Sequence, residues 1–282
     1  MINALFEYQF LQNAFLSGIL ASIVCGIIGV IIIEKKLIMM SGGIAHTSYG
    51  GVGLGYFLGF EPILGALLFS ICAALGIGYI KRKGTANSDV LIGLFWSLGM
   101  ALGILFIFLM PGYPPDLSSY LFGNILSVTK LDLCLIFSLT VIILTIIIVL
   151  FNDWKAYLFD EEFASIKGIK TAFLDYLLLV LIAMTIVVLI RVVGIILVLA
   201  LLTAPAATAG IFTYSLKKRM LYSVLFGVVF CIAGLWISYE LNIASGAAIV
   251  IFSTTFYFLL YISHSVYRKL KQKKLIATNK NL

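Results

Sequence analysis

The sequence predicts an all-α, polytopic integral membrane protein with eight or nine transmembrane helices, N-terminus outside and C-terminus in the cytoplasm. Three observations predict it. First, 62% of the 282 residues are hydrophobic, only 11% are charged, and the mean hydropathy is +1.16. A soluble domain is roughly 45–50% apolar and about 25% charged, and a soluble chain of this composition has too little polar surface to cover itself. That excludes a soluble enzyme, a disordered regulator and a fibrous protein. Second, apolar runs long enough to cross a bilayer, about 20 residues, recur along the chain. Third, the basic residues collect on one side of the resulting serpentine.

The runs are about 10–33, 41–60, 62–80, 89–110, 132–151, 173–191, 193–213, 220–240 and 243–263. The second is short and glycine-rich, and is expected to be the most irregular. The sixth and seventh, parted only around Arg191 and Gly194, read as two helices with a tight turn or as one long broken element. With nine crossings from an outer N-terminus, all of the 19 lysines and arginines except Lys130 and Arg191 face the cytoplasm, which is the positive-inside pattern. No basic residue precedes Lys35, so a signal-peptide n-region is missing and the first run is expected to stay as an anchor. The net charge of +7 owes much to six basic residues between Arg268 and Lys280. Such a tail reads as a cytoplasmic anchor on anionic membrane lipid, not as a nucleic-acid surface. Residues 1–267 are expected to form one transmembrane domain and 268–282 the tail.

Between the spans, two connections stand out. The inner segment 152–172 places Phe159, Phe163 and Ile166 at helical spacing among seven charged residues, predicting a short amphipathic cytoplasmic helix over about 153–172. It reads either as a simple joint or as a docking element. The outer segment 111–130 begins with Pro111, Pro114 and Pro115 and continues as an apolar stretch to Leu126, an interfacial helix or a vestibule wall. Cys25, Cys72, Cys134 and Cys231 all lie in apolar runs without a C-x-x-C pair, and read as packing residues.

Ionisable residues within a bilayer are costly and mark functional sites. No Asp or Glu lies well inside a span; Asp132, Asp175 and Glu240 sit at span ends. His46 is the exception. It follows Lys35 and Lys36 by ten residues, which places it about 15 Å into the membrane. It reads as a metal ligand, a proton relay, or a neutral histidine bonded to a neighbouring helix. Gly42, His46 and Gly50 share one helical stripe, and Gly51, Gly55 and Gly59 form a second that lets helices approach closely. Pro205, amid Ala204, Ala206 and Ala207, is expected to kink its helix. A P-loop, an H-E-x-x-H motif and a nucleophile elbow are all missing from the sequence.

Four segments carry a family likeness: Met40-Ser41-Gly42-Gly43-Ile44-Ala45-His46, Ser119 to Leu126, Asp160-Glu161-Glu162-Phe163-Ala164 ending near Gly168, and Val193-Gly194 through Pro205 to Ala209. In this order, over about residues 10–265, the chain resembles the membrane permease subunit of zinc- and manganese-type ABC importers, a bacterial and archaeal cell-membrane family. The resemblance implies a homodimer, two copies of a separate cytosolic ATPase and an extracellular metal-binding protein. It implies no permanent cofactor, only a transported divalent metal, Zn or Mn. Segment 152–172 becomes the coupling helix, with Asp160, Glu161, Glu162, Phe163, Ala164 and Gly168 as its ATPase-facing residues, and Pro205 a gating element. The family has an Asp where this chain has Gly42. Losing that carboxylate leaves His46, with Ser41 and Ser48 as helpers, and tilts the expectation towards zinc over manganese. The rival readings are a permease for a chelated metal or siderophore-like cofactor, and, from another class, a membrane scaffold or intramembrane enzyme.

Overall fold

The computed structural model describes residues 7–84, 87–111, 123 and 125–279, with side chains to Lys271. The apolar stretch after Pro111 therefore lies outside the described residues except for Gly123 and the segment from Ile125 on. So do the side chains of the tail beyond Lys271. Among the described residues the structure consists of helices: α1 (Gln9–Glu34), α2 (Ile38–Leu58), α3 (Pro62–Lys83), α4 (Ser88–Leu109), α5 (Lys130–Val149), α6 (Phe151–Phe159), α7 (Glu161–Ile166), α8 (Thr171–Phe212), α9 (Leu216–Leu241) and α10 (Ser245–Asn279), with a 3₁₀ turn at Ile125–Ser127. Helices are what an apolar chain without water must form, because each satisfies its own backbone hydrogen bonds. Seven helices, α1, α3, α4, α5, α8, α9 and α10, are long and apolar enough to cross a membrane. The protein is a multi-pass membrane protein.

α2 is a continuous helix, against the expectation that its glycines would make it irregular. Much of glycine's helix penalty comes from backbone left exposed to water and free to move. Here α3, α4 and α8 enclose α2, and the glycines let them in. A Cβ on Gly51 would lie 2.0 Å from the Gly65 carbonyl oxygen, and one on Gly65 would lie 2.1 Å from that of Gly51. Gly50 meets Gly99 and Gly53 meets Gly103 in the same way across to α4. Of the second predicted stripe, Gly51 and Gly55 pack on α3, whereas Gly59 ends the helix with a left-handed φ of 73°.

Two groups of helices result. α2, α3 and α4 form one; α1, α9, α10 and α5 surround the other side; α8 touches members of both. At 42 residues α8 runs about 63 Å, twice the hydrocarbon thickness. Its backbone breaks at Gly194, where φ 79° and ψ 162° belong to a region that only glycine occupies freely. Gly123, itself at φ 65°, sits so close that a Cβ there would be 2.2 Å from the Val193 carbonyl carbon. Gly123 thus meets the Val193–Gly194 backbone. Pro205 is buried inside α8 with helical backbone angles on either side, so the break lies at Gly194 and not at the proline.

Charged pairs gather the helix ends into two sets. Arg191 on α8 bridges Glu61, before α3, and Asp132 at the start of α5, each at 2.9 Å. Asp132 also closes a capping box with Thr129, which satisfies the first amides of α5. At the opposite ends Glu34 pairs with Arg219, Lys35 with Glu161 at 2.8 Å, and Arg82 with Asp175 at 3.1 Å.

Candidate functional site

His46 lies mid-way along α2 and is half-buried against α4. Its imidazole stacks on the Trp96 indole, centroids 4.0 Å apart and planes within 9°. Nδ1 is buried without a hydrogen-bond partner. The two helices are locked in register around the stack. Thr47 Oγ1 shares its one proton between the Gly43 carbonyl at 2.7 Å and the Phe95 carbonyl of α4 at 3.0 Å. Gly43 packs against Ile92, and Gly99 against Thr47.

The structure brings Gly42 beside His46 on the α4-facing stripe, where a Cβ on residue 42 would be 3.5 Å from Trp96 Cζ3. It does not bring Ser41 or Ser48 there. Their hydroxyls donate to their own helix, to the Ile38 carbonyl at 2.7 Å and the Ala45 carbonyl at 2.6 Å. At about 100° per residue both point well over 100° away from the His46 direction. Among the described residues no three His, Cys, Asp or Glu side chains cluster as a metal cage. One imidazole per chain suits a site an ion passes through, because a conduit must also release its ion.

The segment predicted to face the cytoplasm is two helices rather than the one expected. Asp160 is extended (φ −155°) and caps α7 by accepting the Phe163 amide at 3.0 Å. The competing aspartate cap is the reason for the break. At the other end Gly168 takes φ 81°, and the Ile169 amide reaches back to the Ala164 carbonyl, a Schellman stop. Phe159 (91% exposed), Phe163 (48%) and Ile166 (84%) line the outer surface. Ala164 does not share it; it is fully buried with Trp154 and Tyr157 on the inner side. Under the segment, Lys35 sits 3.6 Å from the centre of the Tyr157 ring and pairs with Glu161. The Tyr157 hydroxyl donates to Asp175, which also accepts from Arg82. Burial first, then that carboxylate, push the Tyr157 phenol far above its ordinary range, so it stays a donor.

The chain matches the ABC 3 transport family over residues 7–264. It belongs to that family. An uncharacterised membrane protein of Synechocystis sp. is 40% identical over 259 residues, covering 92% of each chain. The manganese transport system membrane protein MntC of Listeria monocytogenes is 36% identical over 261 residues, covering 93% of each. Among solved structures, PsaBC from Streptococcus pneumoniae in complex with Fab superimposes with a TM-score of 0.85 at 36% identity, covering 96% of this chain and 98% of that one. The resemblance read from four short segments is thus a family membership spanning nearly the whole ABC 3 transport chain.

Sequence reasoning missed Trp96, Thr47 and the Tyr157–Asp175–Arg82 cluster in this family member. Trp96 lies in an apolar run with nothing to mark its partner. Asp175 carried a signal, an acid at the inner end of a span, but its partners are 18 and 93 residues away.

Proposed function

We infer that this chain is the permease subunit of an ATP-driven importer of divalent transition-metal ions, with no nucleotide site of its own. It works as a homodimer, in a bacterial or archaeal cell membrane, with a separate cytosolic ATPase and an extracellular metal-binding protein. The carrying observation is the family match over residues 7–264, beside a relative named for manganese transport. That name makes manganese the first ion to test. The zinc preference expected from the donor set finds no support in it. Nine crossings are favoured, counting α2 and the two halves of α8 separately, because the charged pairs fall into two sets at opposite helix ends. In this reading His46 lies on the metal path, and the surface of Phe159, Phe163 and Ile166 seats the ATPase.

The test is uptake of labelled manganese and zinc in cells lacking their own importers, expressing this chain with its ATPase and binding protein. His46→Ala is expected to lower uptake about tenfold or more, an effect of losing one ligand, at unchanged membrane abundance. Normal uptake in that variant takes His46 off the path. No uptake of either ion by the native complex overturns the cargo. Uptake that excess free ion fails to compete, but a chelate does, favours the chelated-cargo reading.

A further inference from the structure

The indole of Trp96 does two things at once. It covers one face of the His46 ring, and it lies over Gly42 one helical turn earlier. Its place is built into the backbone, because the Thr47–Phe95 hydrogen bond and the Gly43–Ile92 and Gly99–Thr47 approaches fix α4 against α2 on both sides of it. A metal reaches imidazole through a nitrogen lone pair in the ring plane, not through the ring face. Stacking therefore leaves ligation open while fixing its direction. At position 42 the consequence differs. A Cβ there would lie 3.5 Å from Trp96 Cζ3, an ordinary contact, so the indole is the nearest neighbour of any side chain placed at 42.

We propose that Trp96 is the positioning and selectivity residue of the His46 site. It aims the imidazole and keeps the α2 stripe free of oxygen donors, so that this chain favours ions content with a nitrogen ligand and water over ions that seek oxygen. The proposal rests on the reading that a divalent metal passes His46, and adds which ions the passage selects. It also implies that a carboxylate placed at 42 works only when the indole is gone.

The experiment compares manganese and zinc uptake by the full complex carrying the native chain, Trp96→Phe, Trp96→Leu, Gly42→Asp and the double variant Gly42→Asp/Trp96→Leu, each normalised to membrane abundance. Trp96→Phe keeps a stacking ring and is expected to stay within about twofold of native, while Trp96→Leu lowers zinc uptake about fivefold through KM. Gly42→Asp alone is expected to leave the manganese-to-zinc ratio within about twofold, and the double variant to raise it about fivefold or more. A second readout needs no transport. Zinc added to the purified chain should change indole emission in the native protein, but not in Trp96→Phe or His46→Ala. A full ratio shift in Gly42→Asp alone, or native transport and selectivity in Trp96→Leu, overturns the proposal. If the native complex moves no metal yet emission responds through His46, the transport reading falls and the role of Trp96 beside a metal-binding His46 stands. If uptake needs His46 but every Trp96 variant behaves as native, the reverse holds.

Discussion

Single glycines decide how closely this protein packs, and they do so unequally. Gly51 and Gly65 place the backbones of α2 and α3 in direct contact, with no room for a methyl group on either. Gly76 on the same α3 helix is different, because a Cβ there meets only the rim of the Phe95 ring at 3.4 Å. Gly51→Ala must push two helices apart and is expected to destabilise the protein by about 1–3 kcal/mol, as overpacking does. Gly76→Ala should be within about 0.5 kcal/mol of native, the range of substitutions that meet no built feature. Thermal unfolding of the two purified variants in detergent checks the contrast, and equal midpoints would show that the α2–α3 contact yields easily. The sequence marks the Gly51 and Gly55 stripe as a close-packing surface, but it does not tell these glycines from Gly59, which ends the helix. The 3.6-residue period says which residues share a face; it does not say where the helix stops or which neighbour arrives.

Helices were the most legible level, for a physical reason. A bilayer demands runs of fixed length with all backbone bonds made internally, so each apolar run reappears as a helix or, at α8, as half of one. What stayed hidden depends on tertiary contact. The break at Gly194 is held by Gly123, some seventy residues away. The 152–172 segment splits at Asp160 because an aspartate there caps a helix better than it continues one. That split bears on the proposed docking surface. It turns Ala164 inward and leaves Phe159 and Ile166 almost fully exposed on a face beside acidic Glu161 and Glu162. Large apolar side chains that stay exposed outside the bilayer mark a docking surface. Ile166→Asp is therefore expected to cut co-purification of the ATPase about tenfold, within the range of a hot-spot loss, while membrane abundance stays at the native level. Retained co-purification would move the docking surface elsewhere. Ala164→Asp is not an equivalent test, since a buried carboxylate there harms folding first.

Across the whole molecule, the charged residues serve as both address and fastening. The distribution of lysine and arginine predicts how the chain sits in the membrane, and in the fold Lys35, Arg82, Arg191 and Arg219 tie neighbouring helix ends together. Arg191, one of the two basic residues assigned to the outer side, joins α8 to the start of α5 and to the α2–α3 connection. Lys35, Arg82 and Arg219 fasten α1, α3 and α9 to partners at the other end. Among the described residues no ion pair joins one set to the other, as expected if Glu61, Asp132 and Arg191 lie on one side of the membrane and Glu34, Lys35, Arg82, Glu161, Asp175 and Arg219 on the other. The exposed Arg191–Glu61 pair adds only about 0–1 kcal/mol, so its value here is as a record of sidedness. The topology can be read chemically. In a background where the exposed Cys72 and Cys134 are replaced by Ser, Glu61→Cys is expected to react with a membrane-impermeant thiol reagent in intact cells. Lys218→Cys should react only after permeabilisation. Labelling of both in intact cells would place the start of α3 and the start of α9 on the same side, and would take one crossing out of the chain between them. Labelling of Lys218→Cys alone would invert the molecule, and with it the assignment of Phe159 and Ile166 to the compartment that holds ATP.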